Sequence, residues 1–479
     1  MGKIHQAQTA VTCSLGNLII GLLYVWPSYT LNLYTAKNTT VLSEPMSELE
    51  SSLVGSIPSL GAMVGTLGIG FLLSVFGRKR GGVIIALPVT ISWLVIDLTT
   101  SSKVILAARF FGGLTVGAVM CHSPIYISEI AEESIRGMLA SAPVACYCVG
   151  VLFSYIIGWF FTYRYIIWIN ICTCLLYIAL MMCLTESPVF LMRKNREEEA
   201  AKAIAHYRGL STSSKIVLEE VSRLRQQITP SVELVPVNTE EKPEETEKSK
   251  LNAEEYAPEP PKTPTWKLLF FTPSSRRAFT VVALTLSLQV MMGMVAVQVY
   301  AKDIFSSAAP NLSSHMCSVL LALVLLMGSL LSTVLTDKFG RRILLVLSSI
   351  AVALCLILIG VQLQTMIAPA WLTAVLILVY CFSFMFGAGS MPYVLLAEAF
   401  TPEVQSLASM IQMESVWFLN FFLVAIFPFM VKWFGIYGSF YSFALFAIID
   451  LVVGLTILPE TKGLTNEQIQ EVFMRRRIK

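Results

Sequence analysis

The sequence predicts an all-α membrane protein: twelve transmembrane helices in two six-helix halves, joined by a cytoplasmic helical linker. Three observations carry that reading. Hydrophobic residues make up 55% of the 479 and charged residues only 14%, against roughly 25% charged in an ordinary soluble domain. The charges are clustered, leaving apolar runs of about 18 residues or more, which is what a helix rising about 1.5 Å per residue needs to cross a bilayer core about 30 Å thick. The same punctuation also occurs twice, a long apolar run stopped by a basic turn: "GFLLSVFGRKRGGV" near residue 70 and "LSTVLTDKFGRRILL" near residue 331. A net charge of +3 is too small to suggest a nucleic-acid partner, and its distribution says more than its sum.

The polar opening "MGKIHQAQTA" leads into an apolar stretch that continues through Tyr34. That is too long for a signal-peptide core, and no small-residue cleavage pattern closes it, so it reads as the first span. Gln6 stands where a myristoylation signal wants Ser or Thr. The expected spans are 11–33, 53–73, 82–99, 104–127, 139–160 and 165–184, then 279–303, 316–335, 343–362, 371–396, 407–430 and 438–458. Both basic turns follow the second span of their half, the mark of an internal duplication. The chain therefore divides into an N-terminal half (1–189), a linker (190–277), a C-terminal half (278–460) and a basic tail (461–479). Cys121, Cys146, Cys148, Cys172, Cys174 and Cys183 lie inside apolar runs, where they act as small hydrophobes, and no disulfide framework is expected.

Orientation follows from Lys and Arg in the short loops. "GRKR", "DKFGRR" and the tail "RRRIK" lie on one side, whereas the opposite loops hold single basic residues such as Lys37, Lys103, Arg164 and Lys302. Both termini are expected in the cytoplasm, with the protein in the cell membrane. The glycosylation triplets at Asn38 ("NTT") and Asn311 ("NLS") fall in loops assigned outside, in agreement with the charge rule. Within the linker, 190–227 has the spacing of short amphipathic helices, and 228–264 is rich in Pro and Glu and expected to be disordered. Residues 265–277, "TWKLLFFTPSSRR", suit an interfacial helix. No nucleotide loop, metal cluster or nucleophile motif occurs in the linker, which weakens ATP-driven and enzymatic readings. Neither a cofactor nor a metal is expected. The partners implied are the lipid bilayer and a small-molecule substrate, with the monomer as the working unit.

Several motifs then add up: "RFFGGLTVG" and "PIYISEIAEESIRG" in span 4, "TESPVFL" after span 6, "GAGSMPYVLLAEAF" in span 10 and "PETKG" after span 12. With the paired Gly-Arg-Arg turns, this set resembles the sugar porter branch of the major facilitator superfamily, including animal facilitative glucose and insect facilitated trehalose transporters. The resemblance covers nearly the whole chain. It implies the major facilitator fold and a facilitative, alternating-access transporter of a small organic solute, a hexose or trehalose in the first instance.

It also implies a cytoplasmic gate. Arg78, Lys79, Arg341 and Arg342 sit where helices enter the cytoplasm, and Glu129, Glu186, Glu398 and Glu460 lie at the same depth, with Asp337 and Arg136 nearby. Ion pairs among them would clamp that side shut, with Glu129, Arg136, Glu398 and Arg342 the leading members. The bland alternative is that these cations only fix topology. Ser74, Val75 and Val189 replace charged family residues, so the clamp of the N-terminal half reads as depleted.

Proton-driven members of the family carry an Asp in span 1, where this chain has Leu23 in "GLLYVW". That favours facilitated diffusion. Glu414 and Asp450 are the remaining candidates for coupling to protons, because intramembrane acids are functional candidates by default; a hydrogen-bonded structural acid is the competing reading. His122 reads as a packed or cytoplasm-facing histidine. For the substrate, the resemblance points to Gln289, Trp417, Asn420 and Tyr300, with Tyr155 and Tyr393 standing where the family has Gln and Trp, and Gln298 an added amide. Val290, Val295, Leu325 and Met385 stand where the family has polar groups. Three readings stay open here: a sugar or polyol carrier with a rebuilt site, a carrier of a larger and less hydroxylated lipophilic solute, and a non-transporting sensor acting through 228–264.

Overall fold

The computed structural model describes residues 2–228, 264–464 and 466–475, and among these every regular element is a helix. Ten helical segments are long and apolar enough to cross a membrane, so the chain is a multi-pass membrane protein. Two of them are of double length, Glu48–Leu98 with 51 residues and Pro402–Thr456 with 55. Each is interrupted by one glycine, Gly77 at φ 84° and Gly435 at φ 71°. Gly340, at φ 91° and ψ 164°, separates Ser314–Phe339 from Arg341–Thr365 in the same way. Positive φ with ψ near 180° is a region that only glycine occupies readily. That is why both basic turns begin with Gly.

Helices in lipid gain little from hydrophobic drive and associate through small residues that let backbones approach. The pair Glu48–Leu98 and Ser102–Ile130 follows that rule. Gly61 and Gly65 of "GAMVG" lie against the segment holding Gly113 and Gly117 of "GLTVG". A Cβ on Gly61 would sit 2.1 Å from the Phe110 carbonyl oxygen, and one on Gly117 1.9 Å from that of Ala62. Any larger residue would force the helices apart.

Two breaks mark the middle of the C-terminal half. Pro273–Met291 ends at Gly293, φ 86°, and resumes as Met294–Val299 and Ala301–Ala308. The Tyr380 hydroxyl donates to the Met292 carbonyl at 2.8 Å, using an acceptor that this break frees. Ala370–Ser383 runs into a π-turn, Phe384–Ala388, before Met391–Glu398. There Ser348 Oγ accepts from the Ala388 N–H at 2.7 Å and donates to the Ser383 carbonyl at 2.6 Å. Irregular backbone inside a membrane survives only where protein buries it or it lines a cavity.

The linker forms Pro188–Arg193, Glu197–Arg208 and Lys215–Ile228, as the spacing predicts for 190–227. Arg208 ties it to the N-terminal half, donating to the Ile130 carbonyl at 3.0 Å and pairing with Glu220 at 2.5 Å. Gln6 donates to the Tyr207 carbonyl at 2.8 Å. Of the Pro/Glu-rich stretch 228–264, all but the two end residues lie outside the described residues. The tail contributes Asn466–Arg475, whose Gln470 donates to the Ala399 carbonyl at 2.7 Å; its last four residues are likewise outside.

Candidate functional site

At Gly77 the chain turns, and the first N–H groups of the next helical stretch, on Arg78 and Lys79, donate to Glu186 at 2.7 and 3.1 Å. The Arg78 guanidinium donates to Glu129 at 2.5 Å, and the Ser187 hydroxyl donates to the other Glu129 oxygen. His122 packs beneath, its Nε2 2.8 Å from the Arg78 carbonyl. The C-terminal half repeats this group by group. Arg341 and Arg342 N–H donate to Glu460 at 2.9 and 3.1 Å, the Arg341 guanidinium to Glu398 at 2.6 Å, and the Thr461 hydroxyl to Glu398 at 2.9 Å. Neither latch crosses between the halves; the second takes in Thr461, the first residue of the tail.

This geometry brings Arg341 forward where the sequence pointed first to Arg342. The partner of Glu398 is Arg341, while Arg342 donates to the Gly454 and Leu455 carbonyls at 3.0 and 2.6 Å, near the end of Pro402–Thr456. Consecutive residues on a helix point about 100° apart, so only one of the two arginines can face the acid. Arg136 reaches the Ala131 carbonyl at 3.3 Å, and Lys79 takes part through its backbone. Glu186 and Glu460 hold N–H groups at a helix start, where a negative charge is favoured. The side chain of Asp337 lies outside the described set. Among the described residues, none of the hydrogen bonds and ion pairs that build the N-terminal latch uses the side chain of Ser74, Val75 or Val189.

Three of the predicted substrate residues, Gln298, Tyr155 and Trp417, lie where the halves face each other. Gln298, between the Gly293 break and Tyr300, accepts from the Tyr147 hydroxyl at 2.6 Å on its side-chain oxygen and from Tyr155 at 2.7 Å on its carbonyl. Tyr300 stacks on Phe427, centroids 5.2 Å apart, and donates to the Val424 carbonyl at 3.2 Å. The Trp417 indole donates to Thr66 of the opposite half at 3.1 Å. Tyr393 lies beside Gln289, and Tyr147 lies near both Tyr24 and Tyr393. Four oxygens here have no partner among the described residues: Gln289 Oε1, Asn420 Oδ1, and both carboxylate oxygens of Glu414. Asp450 is placed elsewhere, buried within the C-terminal half and accepting from Ser349 at 2.7 Å.

Arg109 is fully buried, and its guanidinium donates to the Leu23 carbonyl at 2.6 Å and the Val54 carbonyl at 3.0 Å, over the Trp26 ring at 5.5 Å. It is a membrane-embedded cation whose partners are backbone. Further polar ties between the halves lie at the end opposite the basic turns: Asn32 to Asp303 at 3.1 Å, the Lys302 N–H to Ser28 at 3.1 Å, and Lys432 to Glu48 at 2.8 Å. Asn38 and Asn311 are exposed in loops at that same end.

The family model described as sugar (and other) transporter matches residues 9–473. The chain belongs to that family. Membership makes it a transporter rather than an enzyme. It is 25% identical over 480 residues to the facilitated trehalose transporter Tret1 of Polypedilum vanderplanki, covering 98% of this chain and 88% of that one. The Tret1 of Drosophila mojavensis is 25% identical over 478 residues, and there the chain spans 52% of the relative's length. Among solved structures, the E. coli xylose transporter XylE in its partially occluded inward-open conformation matches with a TM-score of 0.74 and 21% identity, over 96% of this chain and 99% of that one. Its inward-open form gives the same TM-score and identity, over 97% and 99%. These likenesses carry the fold. Within this sugar-transporter scaffold, sequence reasoning missed Tyr147, Thr66 and Arg109. Only Arg109 carried a signal, a lone charge in an apolar run; "ACYCVG" gives no hint that its tyrosine crosses to Gln298.

Proposed function

We propose that the chain is a facilitative, alternating-access carrier of a small sugar, of the hexose or trehalose class, working as a monomer in the cell membrane. Counting the two double-length helices twice turns ten segments into twelve crossings. The basic turns and both termini then lie in the cytoplasm, and Asn38 and Asn311 are available for glycan outside. The halves 1–189 and 278–460 rock against each other, with the two latches as gate elements on the cytoplasmic side. The polar ties at the centre and at the outer end fit a conformation open to the cytoplasm.

The observation that carries uniport is the Arg109–Leu23 contact. A proton carrier needs a carboxylate that trades its proton against a neighbouring cation, and here two of that cation's three nitrogens donate to carbonyls at 2.6 and 3.0 Å, which do not titrate in this range. A second reading, a less hydroxylated solute, is favoured by buried Val290 and Leu325, where an amide would otherwise match a hydroxyl. An unmatched buried polar group costs about 1–3 kcal/mol, so the site discriminates between the two classes. Uptake by the purified protein in liposomes decides: saturable entry of glucose or trehalose supports the sugar reading, and entry of lipophilic solutes alone overturns it.

A further inference from the structure

We infer that Glu414 sets the class of solute, and that the central site takes a hydroxylated solute bearing a protonated amine, such as an amino sugar. The inference rests on the carrier reading above. Glu414, Trp417 and Asn420 follow one another at three-residue spacing on Pro402–Thr456, which keeps them on one side of that helix. Trp417 on that side donates to Thr66 of the N-terminal half, and Glu414 is within electrostatic reach of Cys121 on Ser102–Ile130. The side therefore faces the seam between the halves rather than lipid.

All four unpartnered oxygens of this region are acceptors on the C-terminal half: one on Gln289, one on Asn420, two on Glu414. The site asks for donors. No cation among the described residues pairs with Glu414; the buried Arg109 donates through Nε and Nη1 to the Val54 and Leu23 carbonyls, and its Nη2 has no partner among the described residues. A carboxylate without a counter-charge is costly inside a membrane, so such an acid either takes up a proton or sits where a charged partner arrives. Sugar hydroxyls supply donors but no charge. A protonated amine supplies three donors and the missing charge together. The same site has given up amide positions to Val290 and Leu325, as expected where charge replaces part of the hydroxyl matching.

The test uses the full chain in liposomes, comparing D-glucosamine with D-glucose at a pH where the amine is protonated, in the wild type, Glu414→Gln and Glu414→Asp. A charge-assisted contact predicts a glucosamine-over-glucose preference in kcat/KM of about 10- to 100-fold, collapsing in Glu414→Gln and returning in Glu414→Asp. Because the readout is a ratio within one variant, reduced folding does not imitate it. A ratio unchanged by Glu414→Gln overturns the inference and leaves the sugar carrier standing. Glucose accumulation driven by a proton gradient and abolished by Glu414→Gln also overturns it, making Glu414 a proton carrier. Failure of every variant to move either solute removes the sugar reading, and the inference with it.

Discussion

In the N-terminal half, Gly77 turns the chain, Arg78 pairs with Glu129, Ser187 supports that acid, and Glu186 holds two N–H groups. In the C-terminal half, Gly340, Arg341, Glu398, Thr461 and Glu460 do the same. The neighbouring residues differ: Lys79 against Arg342, Ser74 and Val75 against Asp337 and Lys338. The duplicated structure thus keeps the set that must satisfy a bent backbone and lets the surrounding charges drift. A depleted motif in sequence need not mean a depleted latch, because only the residues that meet across helices matter.

The comparison is broken most strongly by removing the acids. Arg78 and Glu129 side chains are 7% and 11% exposed, against 14% and 27% for Arg341 and Glu398. Taking one partner from a buried pair costs about 3–5 kcal/mol, and solvent relieves part of that at the more exposed site. Glu129→Ala should therefore lower the melting temperature of the purified protein more than Glu398→Ala. The reverse order would show that burial does not rank the two latches.

The turns themselves come next. Alanine at Gly77 or Gly340 forces a residue with a Cβ into a glycine-only conformation, at about 1–3 kcal/mol. The new Cβ would lie 2.5 Å from a Glu186 oxygen in one case and 2.7 Å from a Glu460 oxygen in the other. Both substitutions should slow transport and destabilise to a similar degree, read from uptake rates and melting curves. A silent effect in one half would end the equivalence.

The smallest effect concerns Arg342. Its contact with carbonyls near a helix end is worth about 0.3–1 kcal/mol, so Arg342→Ala should slow uptake less than Arg341→Ala. Equal slowing would assign Arg342 a gating role that its contacts do not explain.

Much of this was legible in the chain. Apolar runs pointed to a helical protein that crosses the membrane several times, as the ten long apolar helices bear out, because a long apolar run is a local pattern with one physical meaning. Pairing was not legible: whether Arg341 or Arg342 meets Glu398 depends on helix rotation, which adjacent positions do not reveal. The central residues were found in part. Gln298 was singled out as an added amide, but its locking by Tyr147 and Tyr155 arises only when helices from opposite halves meet. The side chains of the terminal basic run 475–479, and nearly all of 228–264, fall outside the described residues.

The central proposal is that solute moves without protons, because Arg109 donates to the Leu23 carbonyl and pairs with no acid among the described residues. The most direct measurement is glucose counterflow in liposomes under an imposed proton gradient, with glucosamine run in parallel. The account predicts rapid exchange of preloaded solute and no net accumulation, at a rate unchanged when the gradient is collapsed. Accumulation of glucose against its own gradient, lost when the proton gradient is collapsed, would contradict it.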